Sequence, residues 1–199
     1  MSAPGEPIHR PSPDLRRILL AVLVLALLLA AALVQKESLN EYYLYFSEDR
    51  QPVTFSFTEL SEDWTEASIK ERFAGLPMSC RPYLRPGAHA CGVDVASHNG
   101  VSAMFVTFIF EGERLYEVAV NIPLWSLSAA RERLRDQYGP PLASQWLPHD
   151  GVRLEGWQLA NGSALFLNRD LNVMPPYRNA IYWRSASACS ASACIRSGR

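Results

Sequence analysis

Residues 101 to 122, VSAMFVTFIFEGERLYEVAVNI, decide the fold. Val101 to Phe110 and Leu115 to Ile122 are rich in β-branched and aromatic residues, and Glu111-Gly-Glu113 turns the chain between them, so we predict two antiparallel strands. Upstream, Asn99-Gly100 is a strong hairpin signal because both residues tolerate positive φ. This turn connects a preceding strand, residues 91 to 97, to the two strands of the pair. The prediction is a three-stranded antiparallel meander.

Helices precede and follow this meander. Trp64 to Phe73 predicts a short helix that ends before Gly75 and Pro77. A second helix is predicted from Ser126 or Ser128 to about Tyr138. Its apolar stripe consists of Leu127, Ala130, Leu134 and Tyr138.

Three further strands follow the second helix. Val152 to Leu159 and Ser163 to Asn168 flank Asn161-Gly162, which predicts a second hairpin, and Asn179 to Arg184 is a last strand. Runs of strands after each helix predict an α+β class with an antiparallel sheet and two short helices. The second half echoes the first, which raises the possibility of tandem repeats of a helix and a strand meander. Val53 to Phe57 alternates as a half-buried strand.

An apolar segment precedes this domain. Ile18 to Val34 holds 17 residues without a polar side chain, and as a helix it spans about 25 Å, near the thickness of a hydrocarbon core. We therefore assign residues 16 to 35 to a transmembrane signal anchor. The alternative is a signal peptide cleaved after Ala32. Glu41 to Phe46, with four aromatic residues, could lie at the membrane interface or form a first strand.

The flanking charges predict the topology. Arg10, Arg16 and Arg17 precede the segment and only Lys36 follows closely, so the N-terminus is predicted to be cytoplasmic and the domain outside. The bias toward Ala, Arg, Leu and Pro is typical of bacteria, and we predict an inner-membrane protein with a periplasmic domain. The predicted parts are a disordered tail (1–15), the anchor (16–35), a juxtamembrane linker (36–52), the α+β domain (53–184) and a flexible tail (185–199).

The charge of the exported part bears on its partners. Residues 36 to 184 hold 14 Lys or Arg against 18 Asp or Glu. This acidic balance argues against nucleic-acid binding. The sequence does not specify an oligomeric state.

The cysteines suggest one covalent link. Cys80 and Cys91 are 11 positions apart, and after export such a pair is expected to form a disulfide. The alternative is two buried free thiols. Cys189 and Cys194 could pair locally, pair between chains or stay unpaired. No Cys-x-x-Cys redox motif occurs.

Catalytic motifs give no convincing signal. Asp94, Ser97 and His98 are the residue types of a hydrolase triad, but neighbours at the end of one strand rarely converge, and Ser97 lacks a nucleophile elbow. We predict no catalytic residue, no cofactor and no metal site. Tyr83 and Trp146 are predicted to lie at element ends or in loops and are the candidate anchors for a binding partner.

The segments TEASIKERF, MFVTFIFEGERLYEVAV, SLSAARERLRDQYGPP and WQLANGSALFL, with the cysteine pair, give a layout over residues 55 to 184 that resembles small bacterial envelope proteins. It is similar to the β-lactamase-inhibitor-protein-like group, which includes the small lipoprotein of the outer-membrane barrel-assembly machinery. The resemblance implies a non-catalytic protein that binds other envelope proteins. This chain lacks the lipidation cysteine of that lipoprotein. The alternative function is a small periplasmic hydrolase with an unrecognised site.

Overall fold

The computed structural model describes residues 13–34, 36–146, 152–171, 179–192 and 194–195. The chain divides into two compact units, residues 1 to 46 and 47 to 199. The predicted tail before residue 13 lies outside the described residues.

The described residues of the N-terminal unit form helices. Helix α1 (Pro13–Val34) contains a span from Asp14 to Leu33 with a mean hydropathy of 2.4, long and apolar enough to cross a membrane. Helix α2 (Lys36–Ser47) follows. The strand alternative for Glu41 to Phe46 is therefore wrong, and most of the predicted linker is helical. On α2 the rings of Tyr43 and Phe46 are exposed.

The C-terminal unit contains an antiparallel sheet of eight strands among the described residues. Along the sheet their order is β2-β3-β6-β7-β11-β10-β9-β8. The strands are β2 (Ser79–Pro82), β3 (Ala88–Asp94), β6 (Phe105–Glu111), β7 (Arg114–Ile122), β8 (Ala143–Trp146), β9 (Arg153–Gln158), β10 (Ala164–Asn168) and β11 (Asn179–Arg184). The predicted meander is present as β3, β6 and β7, and the predicted hairpin as β9 and β10.

The two halves of this sheet mirror each other. Helix α3 (Glu66–Arg72) is followed by four strands of the sheet, and helix α4 (Leu127–Tyr138) by the other four. The last strand of each half, β7 or β11, lies at the centre, where the two pair antiparallel. The first strand of each half, β2 or β8, forms an outer edge. Each half thus repeats one unit of a helix and a four-stranded meander.

Side-chain alternation gives the sheet two apolar faces. Leu165, Leu167 and Trp183 pack in the main core, to which α3 contributes Ile69 and α4 contributes Leu134. The apolar stripe predicted for the second helix is confirmed, since Leu127, Ala130 and Leu134 are buried. Helix α3 begins with a capping box, in which Thr65 and Ser68 satisfy each other's backbone N–H groups.

The opposite face is covered in its second half by the chain's C-terminal segment. Helix α5 (Ala186–Ser192) follows β11 directly. Cys189 and Cys194 are buried in a cluster with Leu154, Ala164 and Phe166. The prediction of a flexible tail over residues 185 to 199 is wrong in its described part. The Ser- and Ala-rich composition gave no apolar pattern that predicts a helix, yet the segment forms a short helix whose small side chains pack closely over the sheet.

A small second sheet lies beside the main one. Strand β1 (Pro52–Val53) pairs in parallel with β4 (Ser97–His98), which pairs antiparallel with β5 (Val101–Ser102). Asn99 (φ 51°) and Gly100 (φ 82°) form the predicted turn in the left-handed region, but it joins β4 and β5 of this small sheet and not two strands of the meander. The predicted strand from Val53 to Phe57 is wrong beyond Val53. Beyond that residue the chain is held by Asn99, whose side chain bonds both backbone polar groups of Phe55.

Candidate functional site

The hairpin of β2 and β3 lies at one edge of the main sheet. Cys80 lies directly opposite Cys91 in the register of these strands. Their Cα atoms are 4.0 Å apart and their sulfur atoms lie at disulfide-bonding distance. The link therefore closes the base of the hairpin loop. The sulfur atoms of Cys189 and Cys194 are also at disulfide-bonding distance, with Cα atoms 4.7 Å apart.

The loop of this hairpin, residues 83 to 87, has a defined backbone. The Tyr83 N–H donates to the Ala88 carbonyl, and the Ala88 N–H donates to the Arg85 carbonyl. The second bond closes a four-residue turn with Pro86 and Gly87 at its centre. Gly87 has φ +78°, as the third position of a type II turn requires, and proline is favoured at the second. The turn is therefore specified by its own sequence.

Arg85 fixes the loop to the neighbouring strands. Its guanidinium donates to the Glu111 carboxylate at 2.7 Å and lies 4.9 Å from the ring centroid of Tyr116. A hydrogen bond to Tyr116 raises the pKa of Arg85 above its usual value. Because the guanidinium is half exposed, its salt bridge adds little to stability. These contacts orient the loop.

Leu84 at the tip of the loop is 92% exposed, more than any other large apolar side chain among the described residues. The sequence analysis missed it, although an apolar residue in RPYLRP, between two prolines, has no strand or helix to bury it. Tyr83, the predicted anchor beside it, is half-buried. The loop thus carries a rigid, solvent-exposed apolar tip.

The other predicted anchor lies elsewhere. Trp146 ends β8, at the opposite edge of the sheet from β2, which agrees with its predicted position at an element end or in a loop. The side chain of Trp146 lies outside the described part of the structure. Tyr83 and Trp146 therefore do not form one surface along the sheet.

The residues of the conceivable triad point to different partners. The Asp94 carboxylate is exposed and lies 3.8 Å from Arg50. His98 is buried and its Nε2 atom lies 3.2 Å from the Phe55 carbonyl. Among the described residues, the side chains of Asp94, Ser97 and His98 share no hydrogen bond. The arrangement does not activate Ser97 as a nucleophile.

The environment of His98 suits the neutral imidazole. Its ring packs 4.3 Å from that of Phe55 and 5.1 Å from that of Phe57, measured between centroids. Burial, and to a smaller extent the charge of Arg133, lower the pKa of His98 from 6.5 to about 4. Because the Phe55 carbonyl can only accept, Nε2 carries the proton. The cavity beside the ring measures about 10 Å³, room for about one water molecule.

A polar cleft of about 650 Å³ lies outside this cavity. Its walls come from residues 54 to 59, α3 and α4. Its charges are mixed, since Arg72 donates to Glu59 at 2.6 Å and the lining also includes Arg133 and Asp136. The cleft favours neither an anion nor a cation.

One cluster of metal-ligating residue types occurs among the described residues. Glu66, His89 and Cys91 hold their ligand atoms within 4.8 Å of one another. Cys91 is paired with Cys80, so its sulfur is not a thiolate while that bond exists. The sequence analysis missed the cluster, although His89 and Cys91 are two apart and must share one face of their strand.

No family model matches this chain, and the searches of curated proteins and of solved structures likewise found no match.

Proposed function

We propose that this chain is a non-catalytic protein of the bacterial envelope, anchored in the inner membrane by α1, whose periplasmic domain binds another envelope protein. The observation that carries the proposal is the loop of residues 83 to 87. It is closed at its base by Cys80 and Cys91 and exposes 92% of Leu84 at its tip.

The physical argument is preorganisation. Ordering a flexible loop on binding costs about 0.5–1.5 kcal/mol for each immobilised side chain. Here the disulfide, the type II turn and the Arg85 contacts have already ordered the backbone. An exposed leucine on such a loop can enter an apolar pocket of a partner at little further cost in entropy.

Charge indicates the surroundings of that pocket. Arg81 is exposed in β2 and forms no ion pair among the described residues. Arg85 is paired with Glu111 but still half exposed. A partner surface with an apolar pocket and an acidic rim fits this loop.

The compartment and the family are parts of the same proposal. Two cysteine pairs at disulfide-bonding distance support an oxidising compartment outside the cytoplasm, and the apolar α1 supports a membrane anchor. The similarity to the β-lactamase-inhibitor-protein-like group, drawn from the layout of the sequence, is part of this proposal and implies a non-catalytic protein that binds other proteins. For that reason we favour a binding domain over the hydrolase alternative.

Affinity capture from detergent-solubilised membranes, with tagged variants at equal expression, tests this function. We expect the parent chain to capture one protein in a fixed ratio. Leu84→Ser should weaken that capture at least about fivefold, which corresponds to about 1 kcal/mol. Leu142→Ser is the matched control, because Leu142 is 67% exposed and adjoins β8 at the opposite sheet edge. Equal capture by the parent and the Leu84→Ser variant would contradict the proposal.

A further inference from the structure

Three metal-ligating residues from α3 and β3 lie close together, and a fourth, Cys80, is bonded to one of them. Glu66 is the first residue of α3, and His89 and Cys91 lie on the same face of β3. Their ligand atoms lie within 4.8 Å of one another. Cys80, directly opposite Cys91 on β2, adds a second sulfur. Two sulfurs, an imidazole and a carboxylate are ligand types that zinc takes in tetrahedral sites.

The imidazole nitrogen of the cluster faces the Glu66 carboxylate. The Nε2 atom of His89 is shielded from solvent and lies 3.1 Å from Oε2 of Glu66. The imidazole stacks on Phe110, with ring centroids 4.8 Å apart and planes 9° apart, which holds its orientation.

The carboxylate is suited to the same role. Lys70 binds Oε1, while the other oxygen, Oε2, faces His89. One oxygen is thus directed toward the imidazole.

We propose that reduction of the link between Cys80 and Cys91 opens a Zn²⁺ site made of Cys80, Cys91, His89 and Glu66. A dithiol supplies the two electrons and two protons, becomes a disulfide itself, and leaves two thiols when the S–S bond breaks. Zinc then displaces the two thiol protons and binds the thiolates. Cys80 is exposed, so a dithiol can reach the bond.

The metal would hold the same two strands that the disulfide holds and would add α3 through Glu66. The loop that presents Leu84 then stays closed at its base in both redox states. This site does not require the proposed partner, because its ligands all belong to this chain.

Cobalt provides the first test, since Co²⁺ is a visible substitute for Zn²⁺. The full-length chain in detergent, with Cys189→Ser and Cys194→Ser to remove the other thiols, is reduced with dithiothreitol and desalted under argon. We expect one equivalent of Co²⁺ to give thiolate charge-transfer bands and tetrahedral ligand-field bands, which one equivalent of Zn²⁺ removes. The oxidised chain should give neither. Absence of both band sets from the reduced chain would overturn the proposal.

Ligand variants provide the second test. In the same reduced background, His89→Gln or Glu66→Gln should weaken Zn²⁺ binding more than about 100-fold in competition with a chelator, because even an outer-shell partner accounts for 10–100-fold. Glu71→Gln, at an exposed position on α3, is the matched control. Unchanged affinity in both ligand variants would show a site of cysteines alone and refute the assignment.

A third measurement does not depend on the folding of any ligand variant. X-ray absorption of the zinc-loaded, reduced chain should show two sulfur and two nitrogen or oxygen neighbours. A shell without sulfur, or one of sulfur alone, would contradict the proposed ligand set.

Discussion

At the scale of single residues, His98 shows which features a local sequence signal can predict and which it cannot. Asn99-Gly100 predicted the turn beside it correctly, because positive φ at both positions is a local requirement. The burial of His98 under Phe55 and Phe57 depends on a segment about 40 residues earlier, which the turn signal does not specify. The contact between Glu66 and His89 likewise depends on two segments that are distant in sequence, so no local signal specifies it.

His98 should make the stability of the domain depend on pH. The pKa of His98 is about 4 in the folded protein, against the ordinary value of 6.5 in the unfolded chain, so the unfolded chain binds the proton first as the pH falls. Stability is then fully present above pH 6.5 and decreases toward pH 4, by about 3 kcal/mol in all. The hydrogen bonds from Ser187 and Lys70 lower the pKa values of Glu62 and Glu66, so both carboxylates add their own loss below pH 4.5.

Urea unfolding between pH 7 and 5 isolates the histidine. The parent chain should lose about 2 kcal/mol over this range. His98→Gln keeps an N–H donor for the Phe55 carbonyl but does not titrate, so its free energy of unfolding should change much less with pH. If the free energy of unfolding changed equally with pH in both proteins, a group other than His98 would be responsible for the pH dependence.

At the scale of elements, prediction succeeded where periodicity was strong. The meander, the second hairpin and α4 each carry an alternating or helical apolar pattern, and all are present. The two missed strands, β2 and β8, are the outer edges of the sheet. An edge strand pairs on one side only and needs few apolar residues. All four residues of β2 are exposed and one is a proline, so β2 carries no apolar pattern from which to predict it.

Helix α5 was missed for a related reason. Its Ser- and Ala-rich sequence shows no apolar stripe, yet Ala188 is only 1% exposed because a small side chain fits against the sheet. Ala188→Glu should lower the free energy of unfolding by about 2 kcal/mol or more, since it adds volume and buries a charge. Ser190→Glu, at an exposed position of the same helix, should have a small effect. Urea denaturation measures the free energy of unfolding of both variants. Equal values would support the original prediction of a flexible tail and contradict the packing of α5.

At the scale of the whole molecule, the apolar helix and the cysteines lead to one testable topology. We expect the chain to remain in membranes after alkaline carbonate extraction with an intact N-terminus, because Asp14 to Leu33 is long enough to span the bilayer. Intact mass decides this, and a mature chain that begins at Leu33 would establish a cleaved signal instead.

A reporter fused at Arg184 should be active only on the periplasmic side. Cytoplasmic activity would contradict the predicted orientation.

The central claim is that the tip of the disulfide-closed loop contacts a partner, and photo-crosslinking in living cells tests it most directly. A photoreactive amino acid replaces Leu84 in one strain and Leu142 in another. The account predicts one discrete adduct of constant mass at position 84, with little or none at position 142. No adduct at position 84, or the same adducts at both positions, would contradict it.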